Sequence, residues 1–158
     1  TSLEYAEAAK TKGVHLGLDI AEDLQVVARP NEVKQLVGSL IDNAIKFSSS
    51  GGSVNVTAKQ FAGRTRIVVQ DNGMGIAEDK ITQLFQPFVR GTSVEQYDFE
   101  GAGLNLYVDR VVAARLGGSI TAKSALGSGT KVIVTLPSAH VAHTASVGAS
   151  IITPATAA

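Results

Sequence analysis

"LIDNAIKFS", residues 40–48, lies in a stretch whose apolar residues recur at three- and four-residue steps, the spacing typical of an amphipathic helix. Pro30 predicts where this helix begins. The Ser/Gly-rich residues 48–53 predict that it ends near Phe47. Its apolar stripe consists of Val33, Leu36, Val37, Leu40, Ile41, Ala44 and Ile45.

The other side of this helix is polar. Ser39, Asp42, Asn43 and Lys46 share one flank, because residues three, four and seven positions apart face the same way. One interpretation is a solvated polar face. The other is a site for a metal-bound polyphosphate, since an asparagine oxygen can ligate Mg²⁺ and lysine is a point charge for phosphate oxygens. The pattern of this helix alone leaves both interpretations open.

Outward from the helix, the hydrophobic period alternates between that of strands and that of helices. A strand over residues 14–20 would place Val14, Leu16, Leu18 and Ile20 on one face. The other predicted elements are a short N-terminal helix ending at Gly13, strands over 54–58 and 65–70 joined through Ala62-Gly63, a helix over 77–85, a loop over 91–103, a helix over 104–116, and a hairpin of 119–124 with 130–136. The face predicted to be buried on the helix 104–116 consists of Leu104, Val108, Val111, Val112 and Leu116. This order predicts an α+β domain with a mostly antiparallel sheet covered by helices.

Composition narrows the class of protein. A chain of 158 residues fits one domain, predicted over residues 1–137, and the Ala/Ser/Thr-rich residues 138–158 are expected to form a flexible tail. The absence of cysteine excludes disulfides, thiol catalysis and cysteine-based zinc sites. Lys plus Arg equals Asp plus Glu at 14 each, which argues against a nucleic-acid partner. No apolar run approaches the ~20 residues of a membrane span, so we expect a soluble domain without direct membrane contact.

"QDNGMGI", residues 70–76, places Asp71 at the end of a predicted strand and follows it with two glycines. Asn-Gly between strands predicts a hairpin turn. The residues after Met74 follow a helical rather than a strand pattern, however, which weakens that interpretation. A carboxylate at a sheet end, beside glycines, would leave room for a flat ligand.

"EGAGLNLYVDRVV", residues 100–112, is a glycine-rich segment that opens a predicted helix. Backbone N–H groups at a helix N-terminus bind anions, and glycine lets a phosphate approach them closely. A dinucleotide-binding motif is excluded because no βαβ unit surrounds the segment. An ordinary glycine-rich connection is the alternative.

Taken together, residues 3–137 resemble the catalytic, ATP-binding domain of sensor histidine kinases, in the superfamily shared with type II topoisomerases and the large heat-shock ATPases. The resemblance implies a two-layer α/β sandwich, the Bergerat ATP-binding fold, whose mixed, mostly antiparallel sheet has helices on one face and whose lid is residues 91–103. The motifs that carry it are "LIDNAIKFS" as the N box, "DNGMGI" as the first glycine box, "LFQPFVRG" as the phenylalanine box, "GAGLNL" as the second glycine box and "GSGT", residues 127–130, as the closing segment.

The resemblance also implies roles for single residues. Asn43 would hold Mg²⁺ and Lys46 would contact phosphate, and these two form the expected catalytic pair. Asp71 would accept a hydrogen bond from the adenine amino group. Phe85 and Phe88 would anchor the start of the lid, with a plain core role as the alternative. The other nucleotide-binding residues implied are Phe47, Gly73, Gly75, Arg90, Gly101, Gly103, Leu104 and Thr130, with a core role as the alternative for Phe47 and a solvated charge as the alternative for Arg90.

Three features depart from the family pattern. Asn105 stands where the second glycine box usually has a third glycine, and Ser39 stands where the N box often has an earlier asparagine. The phosphoacceptor histidine is absent, because His15, His140 and His143 lack the acidic-plus-proline context of an acceptor box.

The resemblance therefore implies a cytoplasmic, monomeric catalytic domain that binds Mg·ATP and donates the γ-phosphoryl group to a histidine on a separate dimerisation domain. A response regulator would be an indirect partner. Two alternatives remain open. Anti-sigma-factor serine kinases resemble this chain but carry a glutamate base at the position of Ser39. A degenerate ATP-binding regulatory module is the non-enzyme alternative.

Overall fold

The computed structural model describes residues 2–86 and 106–138. No helix within these ranges is both long enough and apolar enough to cross a membrane. The order of helices and strands confirms the predicted succession. The elements are α1 Ser2–Lys12, β1 His15–Ile20, α2 Pro30–Phe47, β2 Ser53–Phe61, β3 Arg64–Asp71, α3 Glu78–Leu84, α4 Leu106–Arg115, β4 Ser119–Ser124 and β5 Thr130–Pro137.

One five-stranded sheet forms one layer of the fold, with strand order β1-β2-β3-β5-β4. β1 runs parallel to β2, and the other three strand pairs are antiparallel. A parallel pair needs a long crossover, and α2 supplies it between β1 and β2. The prediction of a mixed, mostly antiparallel α+β fold is confirmed.

α2 packs its apolar stripe onto β2 and β3. Leu36, Leu40 and Ala44 are at most 5% exposed on this face. The helix ends at Phe47 because Ser48 leaves the helical conformation, and both the N–H and the hydroxyl of Ser48 donate to the Ala44 carbonyl. Both predicted ends of the helix are confirmed.

The core lies between the helices and one face of the sheet, where every second strand residue is buried. Burying such side chains contributes roughly 1.5–3 kcal/mol for each large aliphatic residue. The fully or nearly fully buried strand residues are Val54, Val56, Ala58, Ile67, Val69, Ile120, Val132, Val134 and Leu136.

The predicted apolar face of β1 is only half buried. Val14 is buried before the strand and Leu16 packs against the core, but Leu18 and Ile20 are 51% and 49% exposed. β1 lies at the edge of the sheet, while α2 lies over β2 and β3. The predicted strand is therefore confirmed, but the helices do not cover the C-terminal half of β1.

The buried face predicted for α4 is wrong in part. Val108 and Val111 are 39% and 48% exposed, whereas Leu106, Asp109 and Ala113 are buried. Val112 and Leu116 are half-buried against the core, and Leu104 lies outside the described residues. Residues 106, 109 and 113 also follow helical spacing, and the packing of α4 against β4, β5 and α2 selects their side. Apolar character alone could not identify this face because one of its members is a carboxylate.

Candidate functional site

Two glycines allow the turn after β3 to pack closely against neighbouring backbone. A Cβ on Gly73 would lie 2.3 Å from the Phe47 carbonyl oxygen at the end of α2. A Cβ on Gly75 would lie 1.9 Å from the Ala125 carbonyl oxygen between β4 and β5, and Gly75 has a φ of +68°. Only glycine permits such approach of backbone to backbone. The turn is thus fixed between the C-terminal end of α2 and the β4–β5 turn.

Asp71 is the carboxylate at the centre of this arrangement and is 6% exposed. Its Oδ1 accepts hydrogen bonds from the backbone N–H of Gly73, at 2.8 Å, and of Thr130, at 3.1 Å. Burial raises the pKa of this carboxyl, while the two backbone donors oppose the rise. Because Oδ1 takes both of these bonds, Oδ2 is the oxygen available to a ligand donor.

Ser124 organises the neighbouring strand ends. Its hydroxyl lies 2.9 Å from the Thr130 hydroxyl and donates to the Gly129 carbonyl oxygen at 2.7 Å. It also accepts a hydrogen bond from the Ile76 backbone N–H at 2.8 Å. These contacts tie the turn after β3 to both strands of the β4–β5 hairpin. We did not predict Ser124 from the sequence, and a lone serine at a strand end gives no signal that would identify it.

Asn43 lies one turn before Phe47 on α2 and is 8% exposed. Among the described residues its Nδ2 is the one buried side-chain donor or acceptor atom without a hydrogen-bond partner. Such an atom costs free energy unless a ligand satisfies it, and a phosphate oxygen would do so. The amide oxygen is also of the type that Mg²⁺ prefers. Asn43 therefore fits the role of contacting a metal-bound phosphate group.

No cluster of three or more His, Cys, Asp or Glu that could hold a metal occurs in the described part of the chain. Mg²⁺ at nucleotide sites is commonly held by one or two protein groups together with the substrate phosphates. A single ligand such as Asn43 suits that mode of binding and does not suit a metal site built from protein groups alone.

Lys46 is exposed at the C-terminal end of α2, one turn from Asn43 along the chain. Its carbonyl oxygen accepts a hydrogen bond from Lys12 Nζ at the end of α1. Burial and the charge of Lys46 lower the pKa of Lys12. Two cationic groups thus lie close together at the end of α2 where Asn43 is found.

Asp109 is a buried carboxylate that we did not predict. It is 5% exposed on α4 and accepts a hydrogen bond of 3.1 Å from the Ser39 hydroxyl on α2. Burial raises the pKa of Asp109 to about 6, and the bond from Ser39 partly opposes the rise. The available signal was an acidic residue at helical spacing from Leu106 and Ala113, within what proves to be the buried face.

The described structure brings seven of the predicted residues to one end of the sheet and α2. Phe47 is half-buried there, and Phe85 packs against the core, which favours its plain structural role. Arg90, Gly101, Gly103 and Leu104 lie outside the described residues, as do Phe88, Asn105 and the predicted lid. The seven residues are Asn43, Lys46, Phe47, Asp71, Gly73, Gly75 and Thr130.

Comparison with known proteins decides the family. Residues 28–140 match the family described as histidine kinase-, DNA gyrase B-, and HSP90-like ATPase. This chain belongs to that family. The matched range contains the whole site from Asn43 to Thr130, as well as the Ser39–Asp109 pair.

Similar members of the family are sensor kinases. Histidine protein kinase DivJ of Caulobacter vibrioides is 40% identical over 80% of this chain, and sensor histidine kinase RppB of Synechocystis is 35% identical over 85% of it. The matching regions make up 21% and 30% of those two relatives, respectively. The chain thus corresponds to the ATPase domain of such kinases and spans less than a third of these relatives.

Solved structures of the family share the fold. The nucleotide-free catalytic domain of histidine kinase ThkA superimposes with a TM-score of 0.73 over 86% of each chain, at 24% identity. Full-length ShkA in complex with AMPPNP superimposes with a TM-score of 0.70 over 86% of this chain and 29% of that one, at 28% identity. The predicted two-layer sandwich is therefore confirmed as the fold of histidine kinase catalytic domains.

Proposed function

We propose that this chain is the catalytic domain of a cytoplasmic sensor histidine kinase, which binds Mg·ATP and donates the γ-phosphoryl group to a histidine on a separate dimerisation domain. The geometry of Asp71 carries the proposal. A buried carboxylate whose Oδ1 is occupied by two backbone donors presents Oδ2 to a further donor, and the adenine amino group is such a donor. The response regulator of the signalling pathway would act one step later.

Each residue of the site contributes to binding and orientation. Asp71 and Thr130 would receive the base at the ends of β3 and β5. Asn43 would contact the metal-bound phosphates one turn before the end of α2, and Lys46 would add positive charge beside them. Mg²⁺, when bound, would neutralise phosphate charge. Phosphoryl transfer depends mainly on positioning and charge neutralisation, so this chain needs no nucleophile of its own.

Transfer in trans tests the proposal. The chain, γ-labelled ATP and a histidine-bearing helical hairpin from a sensor kinase are incubated together, and the label on the hairpin is tested for acid lability and base stability. We expect the hairpin to be labelled on histidine. The chain alone should gain no such label, and its ATP hydrolysis should stay far below the ~1–10³ s⁻¹ of typical enzymes, since position 39 carries a hydroxyl and not a glutamate base.

One variant of the site and one control variant complete the test. Asp71→Asn should abolish labelling of the hairpin, whereas Asp23→Asn, which changes an exposed carboxylate between β1 and α2, should leave it unchanged. Label on a serine of a protein partner would favour the serine-kinase alternative. Binding of ATP without transfer to any of several hairpins would favour the regulatory module.

A further inference from the structure

Among the described residues, two side-chain hydrogen bonds join α2 to α4, and they differ in position and burial. Arg115 on α4 donates to Glu32 on α2 at 2.6 Å, with the Arg115 side chain 65% exposed. Ser39 donates to the buried Asp109 at 3.1 Å. Glu32 lies in the first turn of α2, whereas Ser39 lies one turn before Asn43. Only the second contact places a carboxylate near the proposed phosphate site.

Helix geometry gives the distances of the two carboxylates, Asp109 and Glu32, from Asn43. Residues four apart on a helix have Cβ atoms about 5–6 Å apart, so a carboxylate bonded to Ser39 lies within about 10 Å of the Asn43 amide. Glu32 is eleven residues from Asn43, or about 17 Å along the helix axis. Buried charges interact over such distances more strongly than exposed charges, because water screens them less.

The Ser39–Asp109 pair brings a buried negative charge to the contact between α2 and α4, so its role can extend beyond holding the two helices together. Asp109 has Ser39 as its hydrogen-bonding partner, and no Lys or Arg forms an ion pair with it among the described residues. Its pKa of about 6 leaves the carboxyl ionised at pH 7.5. A buried carboxylate without a cationic partner among the described residues repels a nearby polyphosphate, and the repulsion is greater for a nucleotide that carries no metal.

We propose that Asp109 is a specificity-determining residue of the nucleotide site, whose buried carboxylate disfavours metal-free ATP and so makes the domain select the metal-loaded nucleotide. This inference rests on the proposed function, because it requires that the phosphates lie near Asn43. Ser39 is the positioning residue, since its hydroxyl fixes the carboxylate on the side of α2 that carries Asn43.

The test compares the binding of ATP in excess Mg²⁺ with binding in EDTA, by calorimetry at pH 7.5 and constant ionic strength. Asp109→Asn keeps the shape of the side chain and removes its charge. We expect the affinity for metal-free ATP to rise about three- to tenfold and the affinity for Mg·ATP to change by less, so that the ratio of the two affinities falls. Asp109→Ser, a smaller neutral variant, should lower the ratio in the same way.

Glu32→Gln is the matched control, because it neutralises the other carboxylate between α2 and α4 at a distance from Asn43. Its ratio of affinities should stay within about twofold of the wild-type value, because Glu32 is paired with Arg115 and lies far from Asn43. Equal changes in both affinities for the Asp109 variants, or the same change in Glu32→Gln, would overturn the inference and leave a purely structural link. Failure of the wild-type chain to bind ATP in either condition would instead refute the proposed function.

Discussion

Gly129 lies against the end of β3 so closely that a Cβ on it would stand 2.0 Å from the carbonyl oxygen of Asp71. Gly129 also has a φ of +77°, a conformation that residues with a side chain rarely adopt. The residue that follows, Thr130, donates its backbone N–H to the Asp71 carboxylate. The close approach of Gly129 therefore sets the position of one of the two donors that hold Asp71.

We expect Gly129→Ala to destabilise the domain by more than about 2 kcal/mol, because the left-handed conformation alone costs about 1–2 kcal/mol and the clash with β3 adds to it. It should also weaken ATP binding by displacing the donor to Asp71. Gly127→Ala is the control, since Gly127 has a φ of +73° but open space around it. Urea unfolding measures the stability of both variants. Equal losses in the free energy of unfolding would show that the close approach of Gly129 to Asp71 does not contribute to stability.

Asp71→Asn should change the choice of base. The amide oxygen of asparagine can still accept the backbone donors of Gly73 and Thr130, but its NH₂ group would face the adenine amino group and would suit the guanine carbonyl oxygen. We expect ATP binding to weaken by at least about 2 kcal/mol and the preference for ATP over GTP to fall. Calorimetry with both nucleotides measures this. Equal affinities for ATP and GTP in the wild-type chain would contradict the assignment.

Asn43→Ala should act through the ligand and leave the fold intact. The Nδ2 atom of Asn43 has no hydrogen-bond partner among the described residues. Removing it therefore deprives no described residue of a hydrogen bond to Nδ2. ATP binding should weaken in Mg²⁺ and change much less in EDTA, with the melting temperature of the ligand-free domain nearly unchanged. A loss of ligand-free stability of several kcal/mol would instead indicate a structural polar group.

The stability of the domain should depend on Asp109 and on pH. The pKa of Asp109 is raised from 3.8 to about 6, so the folded chain holds this proton more tightly than the unfolded chain does. The free energy of unfolding should therefore fall as the pH rises from about 4 to about 6, by at most about 3 kcal/mol. Burial of Asp71 acts in the same direction.

Asp109→Asn removes this dependence. It should match the wild type near pH 4 and be more stable at pH 7.5, while the exposed Asp23→Asn should match the wild type at both pH values. Urea unfolding at the two pH values measures the difference. A variant less stable than the wild type at pH 7.5 would show that the ionised carboxylate contributes more to packing than its burial costs.

Most of the fold could be predicted because local patterns and tertiary structure agree. The stripe on α2, the turn at Ala62-Gly63 and the β4–β5 hairpin each follow from periodicity and turn residues, and each is found where predicted. The buried face of α4 could not be predicted, because it depends on which side of the helix packs against β4, β5 and α2. This packing also buries the carboxylate of Asp109, which the sequence of the helix does not indicate.

The site was predicted less completely than the fold. Asp71 and Asn43 stand in motifs that the resemblance to histidine kinase domains singles out, and the structure places both at the same end of the domain, where Gly73 approaches the Phe47 carbonyl. Ser124 gave no such signal, because its importance comes from three partners on two other segments. Pairings between distant segments of this kind have no local signature in a single sequence.

The central pair of strands has a consequence for how such domains diversify. Gln70 on β3 and Lys131 on β5 are register partners that lie 61 positions apart in sequence. The entropy of closing so long a loop grows only with the logarithm of its length, so inserting ten residues would cost only about 0.1 kcal/mol. Lineages can therefore lengthen the loops within this stretch at little cost to the pairing of β3 with β5, whereas α4 and β4 must be kept because their Leu106, Ala113 and Ile120 are buried in the core.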